Sequence, residues 1–157
     1  MNPNDVIPGY LPHEILTGEP TRSARLKWVI VVDENLAPGQ QANAVACVAA
    51  ATGAAIDGLQ GPSGADASGY EHPGLAWAGC TVLGASAEKL AATRAKAVAA
   101  EGVWLADMPL SAQTTRVYDE YLETLAGTDP AELGALALSI VGERASVDRI
   151  VKKLRLL

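Results

Sequence analysis

A buried strand that runs directly into a helix of small residues is the feature that most constrains the fold of this chain. Residues 25–51 read RLKWVIVVDENLAPGQQANAVACVAAA. After Lys27, residues 28–32 are all apolar and do not alternate with polar residues, which is typical of a strand covered on both faces. A polar turn follows at 33–38, and a helix is expected to begin at Gly39. Because ligands of open α/β sheets bind beyond the carboxyl ends of strands, the segment also predicts the side of the sheet that carries a site.

The rest of the chain predicts further alternation of strands and helices. Strands are expected at 75–83, 103–106 and 135–141, and helices at 87–101 with Ser86 as cap, at 114–126, and from about residue 143. Residues 57–74 are rich in glycine and predict a long loop, and 108–113 predict a turn. The order predicts a three-layer α/β/α sandwich on a four-stranded mixed sheet. Residues 24–157 would form one domain, preceded by an extended N-terminal arm at 1–23.

Charge disfavours nucleic acid as a partner. The chain has 12 Lys and Arg against 18 Asp and Glu, a net charge of −6. A protein that binds the phosphate backbone of a nucleic acid usually presents a basic face, because counterion release drives that binding. The one basic cluster lies at residues 152–155.

No targeting, disulfide or metal pattern is evident. Cys47 and Cys80 are too few for a disulfide framework and are expected to be reduced core residues of a cytoplasmic protein. The first 14 residues lack the basic-then-apolar order of a signal peptide, and no apolar run is long enough to span a bilayer. No cluster has metal-ligand spacing, and the glycine stretch 58–64 lacks the features of a phosphate-binding loop. No cofactor is therefore expected.

Several short motifs occur in an order that resembles a known family. Lys27 opens the first strand, a Pro-Gly turn leads into the small-residue helix, Asp107 follows the third strand, and Gln113-Thr114 comes shortly after. With the tail Ile-Val-Lys-Lys-Leu-Arg-Leu-Leu, these resemble the archaeal and eukaryotic type of peptidyl-tRNA hydrolase over residues 26–157. The chain is more similar still to a bacterial family of unknown function thought to share that fold, through Pro-Gly-x-x-Ala-Asn-Ala at 38–44 and His-Pro-Gly at 72–74.

The resemblance implies a fold of the peptidyl-tRNA hydrolase II type and catalytic roles for Lys27, Asp107 and Thr114. A lysine and a carboxylate together can polarise an ester carbonyl and position a water molecule. The alternative is a structural ion pair between two strands. The positions that are basic in the hydrolases are acidic or neutral here, with Asp33 at the strand end and no lysine at the helix start. Since phosphate contacts supply affinity for RNA, tRNA is disfavoured as the substrate.

Other polar residues near the same strand ends are candidates for ligand binding. His72 either acts as a general base, because it titrates near neutral pH, or pins the glycine-rich loop. Asn43 is either a ligand contact beside free helix N–H groups or a capping amide. Gly39, Gln40 and Gln113 complete the predicted ligand-binding set. We expect Lys27, Asn43, His72 and Asp107 to surround a common pocket.

Two functions remain open on these observations. The first is a hydrolase of a small ester or amide. The second is a non-catalytic module that binds a small-molecule or peptide-like ligand, or that associates with itself as a homodimer.

Overall fold

The computed structural model describes residues 6–157, which contain a mixed five-stranded sheet, a two-stranded hairpin and five α-helices. The strands are β1 (Leu26–Asp33), β2 (Gly64–Ala65), β3 (Glu71–His72), β4 (Thr81–Ala85), β5 (Val103–Met108), β6 (Ala137–Glu143) and β7 (Arg155–Leu156). The helices are α1 (Pro38–Ala55), α2 (Ala87–Ala99), α3 (Leu110–Thr114), α4 (Tyr118–Ala126) and α5 (Arg144–Val151).

The main sheet has the order β5-β6-β1-β4-β7, with β1 at its centre. Strand β1 runs parallel to β4 and antiparallel to β6, and β5 is antiparallel to β6. The central position explains the unbroken apolar run of β1, since both of its faces are covered. The prediction of four strands is wrong, because β7 adds a fifth by pairing with β4 through Leu83 and Leu156. A two-residue edge strand is too short to show an alternating pattern.

Helices cover both faces of the sheet because successive side chains of β1 point to opposite sides. On one face, Ile30 and Val32 pack with Val48 of α1. On the other face, Val29 and Val31 pack with buried residues of α2 and α5, namely Leu90, Ala97, Val147, Ile150 and Val151. The position of α1 on the sheet sets the geometry of the clefts along that helix.

A buried polar network also fixes α1 against the sheet. The hydroxyl groups of Thr52 in α1 and Ser139 in β6 lie 2.6 Å apart, and both residues are fully buried. The Thr52 hydroxyl donates to the Val48 carbonyl at 2.6 Å, and the indole N–H of Trp28 donates to Ser139 at 2.8 Å. Because every hydroxyl has a partner, the network holds helix and sheet together without a desolvation penalty.

Two predicted elements differ from the structure. The strand expected at 75–83 begins only at Thr81, because the preceding residues pack against the long loop, where the Trp77 indole donates to the Gly58 carbonyl at 2.8 Å. The helix expected at 114–126 is two helices, α3 and α4, separated by residues 115–117. Two threonines and a valine lie at or beside this break, and β-branched residues are weak helix formers.

In the predicted N-terminal arm, residues 6–23 are mostly exposed and pack on the body of the protein through Tyr10 and Ile15. The first five residues lie outside the described part of the chain. Tyr10 is buried, donates its hydroxyl to the Leu26 carbonyl at 3.0 Å, and packs its ring 4.9 Å from that of Trp77. Of the helices in residues 6–157, none has the length and apolar character needed to cross a membrane.

Candidate functional site

The turn between β1 and α1 is held by its own side chains. The Asp33 carboxylate accepts from the backbone N–H of Asn35 at 2.9 Å. The Gln41 amide donates to the carbonyls of Asp33 and Glu34 at 3.3 and 3.2 Å. Pro38 occupies the first turn of α1, where its missing N–H costs no helical hydrogen bond. The start of α1 is therefore fixed relative to the end of the central strand.

Helix α3 lies beside this start and is joined to it by one side chain. Gln113 donates its amide N–H groups to the Gln40 carbonyl at 3.0 Å and to the Asn43 side-chain oxygen at 3.2 Å. A carbonyl can only accept, so the contact with Gln40 fixes which end of the Gln113 amide carries the nitrogen. The Asn43 atom that faces this nitrogen must then be its oxygen.

This arrangement leaves one donor group and one acceptor without a protein partner in residues 6–157. The free donors are on the Asn43 side-chain nitrogen, and the free acceptor is the Gln113 side-chain oxygen. Both belong to amides that are already oriented by the contacts above. A ligand that carries a carbonyl and an N–H group is complementary to this pair.

A cleft of about 340 Å³ contains these amides and has no charged side chain in its lining. It lies between the first turns of α1 and helix α3. Its lining residues are Leu36, Gly39, Gln40, Asn43, Leu110, Gln113 and Thr114. The structure thus brings together five of the eight predicted site residues, Gly39, Gln40, Asn43, Gln113 and Thr114. We call this region the amide cleft.

A second cavity of about 520 Å³ lies next to the amide cleft and is mainly apolar. Cys47 lines it one helical turn after Asn43, and Ala112 and Thr115 flank Gln113 and Thr114 of the cleft. The remaining lining residues are Val48, Ala50, Ala51, Ala106, Asp107, Met108, Arg116, Tyr118 and Tyr121. We call it the tyrosine cavity, and we refer to it together with the neighbouring amide cleft as the groove along α1.

The tyrosine pair closes one side of this cavity. The rings of Tyr118 and Tyr121 lie 5.4 Å apart in an edge-to-face arrangement. Burial raises the pKa of Tyr121, and the neighbouring Tyr118 and Asp107 raise it further. Tyr121 is therefore a neutral phenol at physiological pH. Tyr118 is 73% exposed, so this side of the cavity is open to solvent.

Asp107 lies at the tyrosine cavity, but its carboxylate is engaged elsewhere. It accepts from the Arg94 guanidinium of α2 at 2.5 Å, and both side chains are about a quarter exposed. Thr114, the third residue with an implied catalytic role, turns its hydroxyl to the carbonyls of Leu110 and Ser111 in its own helix.

Lys27 does not share a pocket with Asp107. Lys27 is paired in register with Gly142, which is paired in turn with Val103. Asp107 lies four residues further along β5, so the two positions are about 13 Å apart along the strands and about 10 Å apart across them. The Lys27 ammonium contacts Asp148 of α5 at 2.5 Å. The prediction of a common pocket is therefore wrong. Strands β1 and β5 run in the same direction, so the start of β1 and the end of β5 lie at opposite ends of the sheet.

His72 lies in the β2–β3 hairpin and lines neither part of the groove. Its ring nitrogen is 3.3 Å from the Asp66 carboxylate, and its ring packs edge-on against Tyr70 at 5.2 Å. Hydrogen bonds from Ser68, and then from His72, lower the pKa of Asp66 to about 2. These contacts match the interpretation of His72 as a residue that pins the loop.

No local pattern in the sequence indicates the tyrosine cavity. Both cysteines are free and exposed, so the prediction that they are core residues is wrong. The position of Cys47 could not be predicted because α1 carries alanine on nearly all sides. The sequence of the helix therefore hides the difference between its buried and its open face. A helix with so little amphipathic contrast cannot be oriented from its pattern.

These features define a mixed α/β protein with a neutral amide cleft that continues into an apolar cavity. The chain belongs to a family of proteins of unknown function, DUF2000, whose model matches residues 26–157. The predicted membership of a family of unknown function is thereby confirmed.

A protein of unknown function from Agrobacterium tumefaciens has a similar structure, with a TM-score of 0.73 and 17% sequence identity over 85% of this chain and 98% of that one. At this identity the likeness shows the fold alone. No curated protein matches the sequence significantly. Residues 6–157 contain no group of three or more His, Cys, Asp or Glu that could hold a metal ion.

Proposed function

We propose that this protein binds a neutral, amide-containing small molecule or peptide-like ligand in the groove along α1. The observation that carries the proposal is the Asn43–Gln113 pair, whose contact leaves an oriented donor and an oriented acceptor at the amide cleft. An amide group of a ligand would accept from Asn43 and donate to Gln113. The affinity would come from the adjoining tyrosine cavity, which takes an apolar side chain.

The lining of the groove supports a neutral ligand. No charged residue lines the amide cleft. In the tyrosine cavity the carboxylate of Asp107 is paired with Arg94, and Arg116 is the one cationic residue of the lining. A charged ligand group would lose its hydration at the amide cleft without gaining an ionic partner. Small apolar surfaces from Ala50, Ala51 and Ala112 leave room for a branched side chain.

Binding accounts for the geometry better than catalysis does. No histidine lines either part of the groove within residues 6–157, and the Thr114 hydroxyl is directed to its own helix. Cys47 lies in the tyrosine cavity, yet a thiol needs an adjacent base or cation to become a nucleophile. Arg116 lines the same cavity, but no hydrogen bond joins it to Cys47 within residues 6–157. A pair of fixed amides recognises an amide without activating it.

The test is a titration with N-acetyl-leucinamide followed by two-dimensional NMR of the side-chain amide groups. This probe has two neutral amides and one branched apolar side chain. At roughly −0.3 kcal/mol per heavy atom, a ligand of about 12 heavy atoms binds with a Kd of about 2 mM. We expect the amide signals of Asn43 and Gln113 to shift on titration, together with backbone signals of residues 47–51.

Matched controls make the outcome specific. Asn43→Ala should abolish the shifts, whereas Asn35→Ala should leave them unchanged, because the Asn35 side chain is exposed and outside the groove. N-acetyl-leucine, which has a carboxylate in place of the second amide, should bind more weakly. Shifts that are absent, or that survive in Asn43→Ala, would contradict the proposal.

A second candidate is hydrolysis of a small ester or amide on a peptidyl-tRNA-hydrolase-II-like sandwich. It is favoured by the resemblance of the motifs and by the position of Asp107 at the tyrosine cavity. The test is hydrolysis of an N-acyl-aminoacyl ester by the wild type and by Asp107→Asn, with circular dichroism to check folding. Turnover that is lost in a folded Asp107→Asn would support this candidate over simple binding.

A further inference from the structure

A third cavity lies at the start of the central strands, at the opposite end of the sheet from the groove, and is lined by positively charged side chains. It has a volume of about 280 Å³ and lies where the N-terminal segment meets the start of β1. Three cationic side chains line it, Arg22, Lys27 and Arg144, and no carboxylate does. This concentration is unusual in a chain whose net charge is −6.

The carboxylates near this cavity are already paired with cations. Arg25, which does not line the cavity, binds Glu14 at 2.6 Å and Glu143 at 2.9 Å. Asp148 pairs with Lys27 at 2.5 Å and is itself outside the lining. Within residues 6–157, neither Arg22 nor Arg144 has an ion-pair partner. The cavity therefore keeps an excess of about two positive charges at neutral pH.

Arg144 has an unmet hydrogen-bonding requirement. One terminal nitrogen of its guanidinium donates to the carbonyls of Thr21 and Ala24, both at 3.3 Å. Its Nε is buried and has no hydrogen-bond partner in the described part of the chain. A buried donor without a partner is costly, and a guanidinium more so than a neutral group, so an acceptor bound at this guanidinium would reduce that cost.

We propose that this cavity is a binding site for a compact oxyanion, such as a phosphate group or a carboxylate. Arg22 and Arg144 would donate planar N–H groups to the oxyanion. Lys27, whose charge is paired with Asp148, and Thr21 line the same opening. The site is independent of the groove along α1 and needs nothing from the function proposed for that groove.

The experiment is isothermal titration calorimetry with inorganic phosphate, repeated with acetate and with chloride at equal ionic strength. Trp28 lines the cavity, so its fluorescence gives a second readout. We expect phosphate to bind at millimolar concentration or below. Because a charge-assisted hydrogen bond contributes about tenfold in affinity, Arg22→Gln should weaken phosphate binding about tenfold. Arg149→Gln, on the exposed side of α5, is the matched control and should change the affinity less than twofold.

Arg144→Gln tests the buried donor, and its folding is checked by circular dichroism because the side chain also binds two backbone carbonyls. Should this variant unfold, Arg22→Gln decides the question, since Arg22 is exposed and makes no ion pair in residues 6–157. Tighter binding of phosphate than of acetate assigns a phosphate group, and the reverse assigns a carboxylate. An equal loss in Arg149→Gln, or heat no greater than that of chloride, would overturn the proposal.

Discussion

The side-chain amides of Asn43 and Gln113 meet at 3.2 Å and join two helices that are 70 residues apart in sequence. Because Gln113 also donates to the Gln40 carbonyl, the pair is oriented before any ligand arrives. Preorganised polar groups lose little conformational entropy on binding, which is what a small ligand requires of its site. The groove proposed as the functional site depends on this one junction.

Replacing Gln113 by glutamate should weaken the junction. The substitution keeps the shape of the side chain but replaces its donor by an acceptor, which then faces the Gln40 carbonyl. We expect a loss of about 0.5–1.5 kcal/mol in the free energy of unfolding, measured by urea denaturation. Gln60→Glu is the control, since its exposed side chain has no hydrogen bond in residues 6–157. Equal stability of the wild type and Gln113→Glu would show that the junction contributes nothing.

Disrupting the buried network of Thr52, Ser139 and Trp28 should lower the free energy of unfolding by more than Gln113→Glu does. Ser139→Ala removes the acceptor of the Trp28 indole and the partner of Thr52, and it leaves a buried donor unpaired. Such a loss costs about 1–3 kcal/mol. Chemical denaturation followed through tryptophan fluorescence measures it, with Ser23→Ala as an exposed control. A cost no larger than that of Ser23→Ala would mean that the network does not hold α1 on the sheet.

The central part of the fold could be predicted because its residues carry local signals. The apolar run of β1 predicted a buried strand, and β1 is the central strand of the sheet. Ser86 was predicted as a helix cap, and its hydroxyl accepts from the Lys89 backbone N–H at 3.3 Å. Asn43 was predicted as a contact from its place beside free helix N–H groups, and Gln113 from the motif that carries the resemblance. Neither observation predicts that the two side chains meet.

Relations between distant elements could not be predicted in the same way. The position of Lys27 relative to Asp107 depends on strand order and direction, which no local pattern encodes. Tyr118 and Tyr121 have the spacing of a buried helix face, yet α4 is a peripheral helix with no buried residue. Periodicity shows which side chains share a face, and only tertiary packing decides what covers that face.

The His-Pro-Gly motif has a packing explanation that leads to a further prediction. A Cβ atom on Gly74 would lie 1.8 Å from the Gly61 carbonyl oxygen, a contact with rigid backbone. Gly74→Ala should therefore shift the long loop and lower the free energy of unfolding by about 2 kcal/mol or more. Gly64→Ala is the matched control, since nothing lies within 4 Å of its Cβ position. A melting temperature equal to that of Gly64→Ala would contradict this explanation of the motif.

The ion pair between Glu14 and Arg25 predicts a specific dependence of stability on pH. A hydrogen bond from Arg25, and then one from the Leu11 backbone N–H, lowers the pKa of Glu14 to about 2 in the folded protein. In the unfolded chain the pKa is about 4.3. Because the folded value is the lower one, the carboxylate stabilises the fold above about pH 4.3, and this contribution is lost as the pH falls towards 2.

Glu14→Gln keeps the size of the side chain and removes its charge, so it isolates this contribution. We expect the variant to melt below the wild type at pH 7, with a difference that narrows between pH 4 and pH 2 and disappears below that range. Thermal denaturation followed by circular dichroism at pH 7, 4, 3 and 2 measures the difference. Glu19→Gln lies on the same segment, and Glu19 has no ion pair in residues 6–157, so this control should track the wild type at every pH. A difference between Glu14→Gln and the wild type that stays constant down to pH 2 would show that Glu14 acts through its packing and not through its charge.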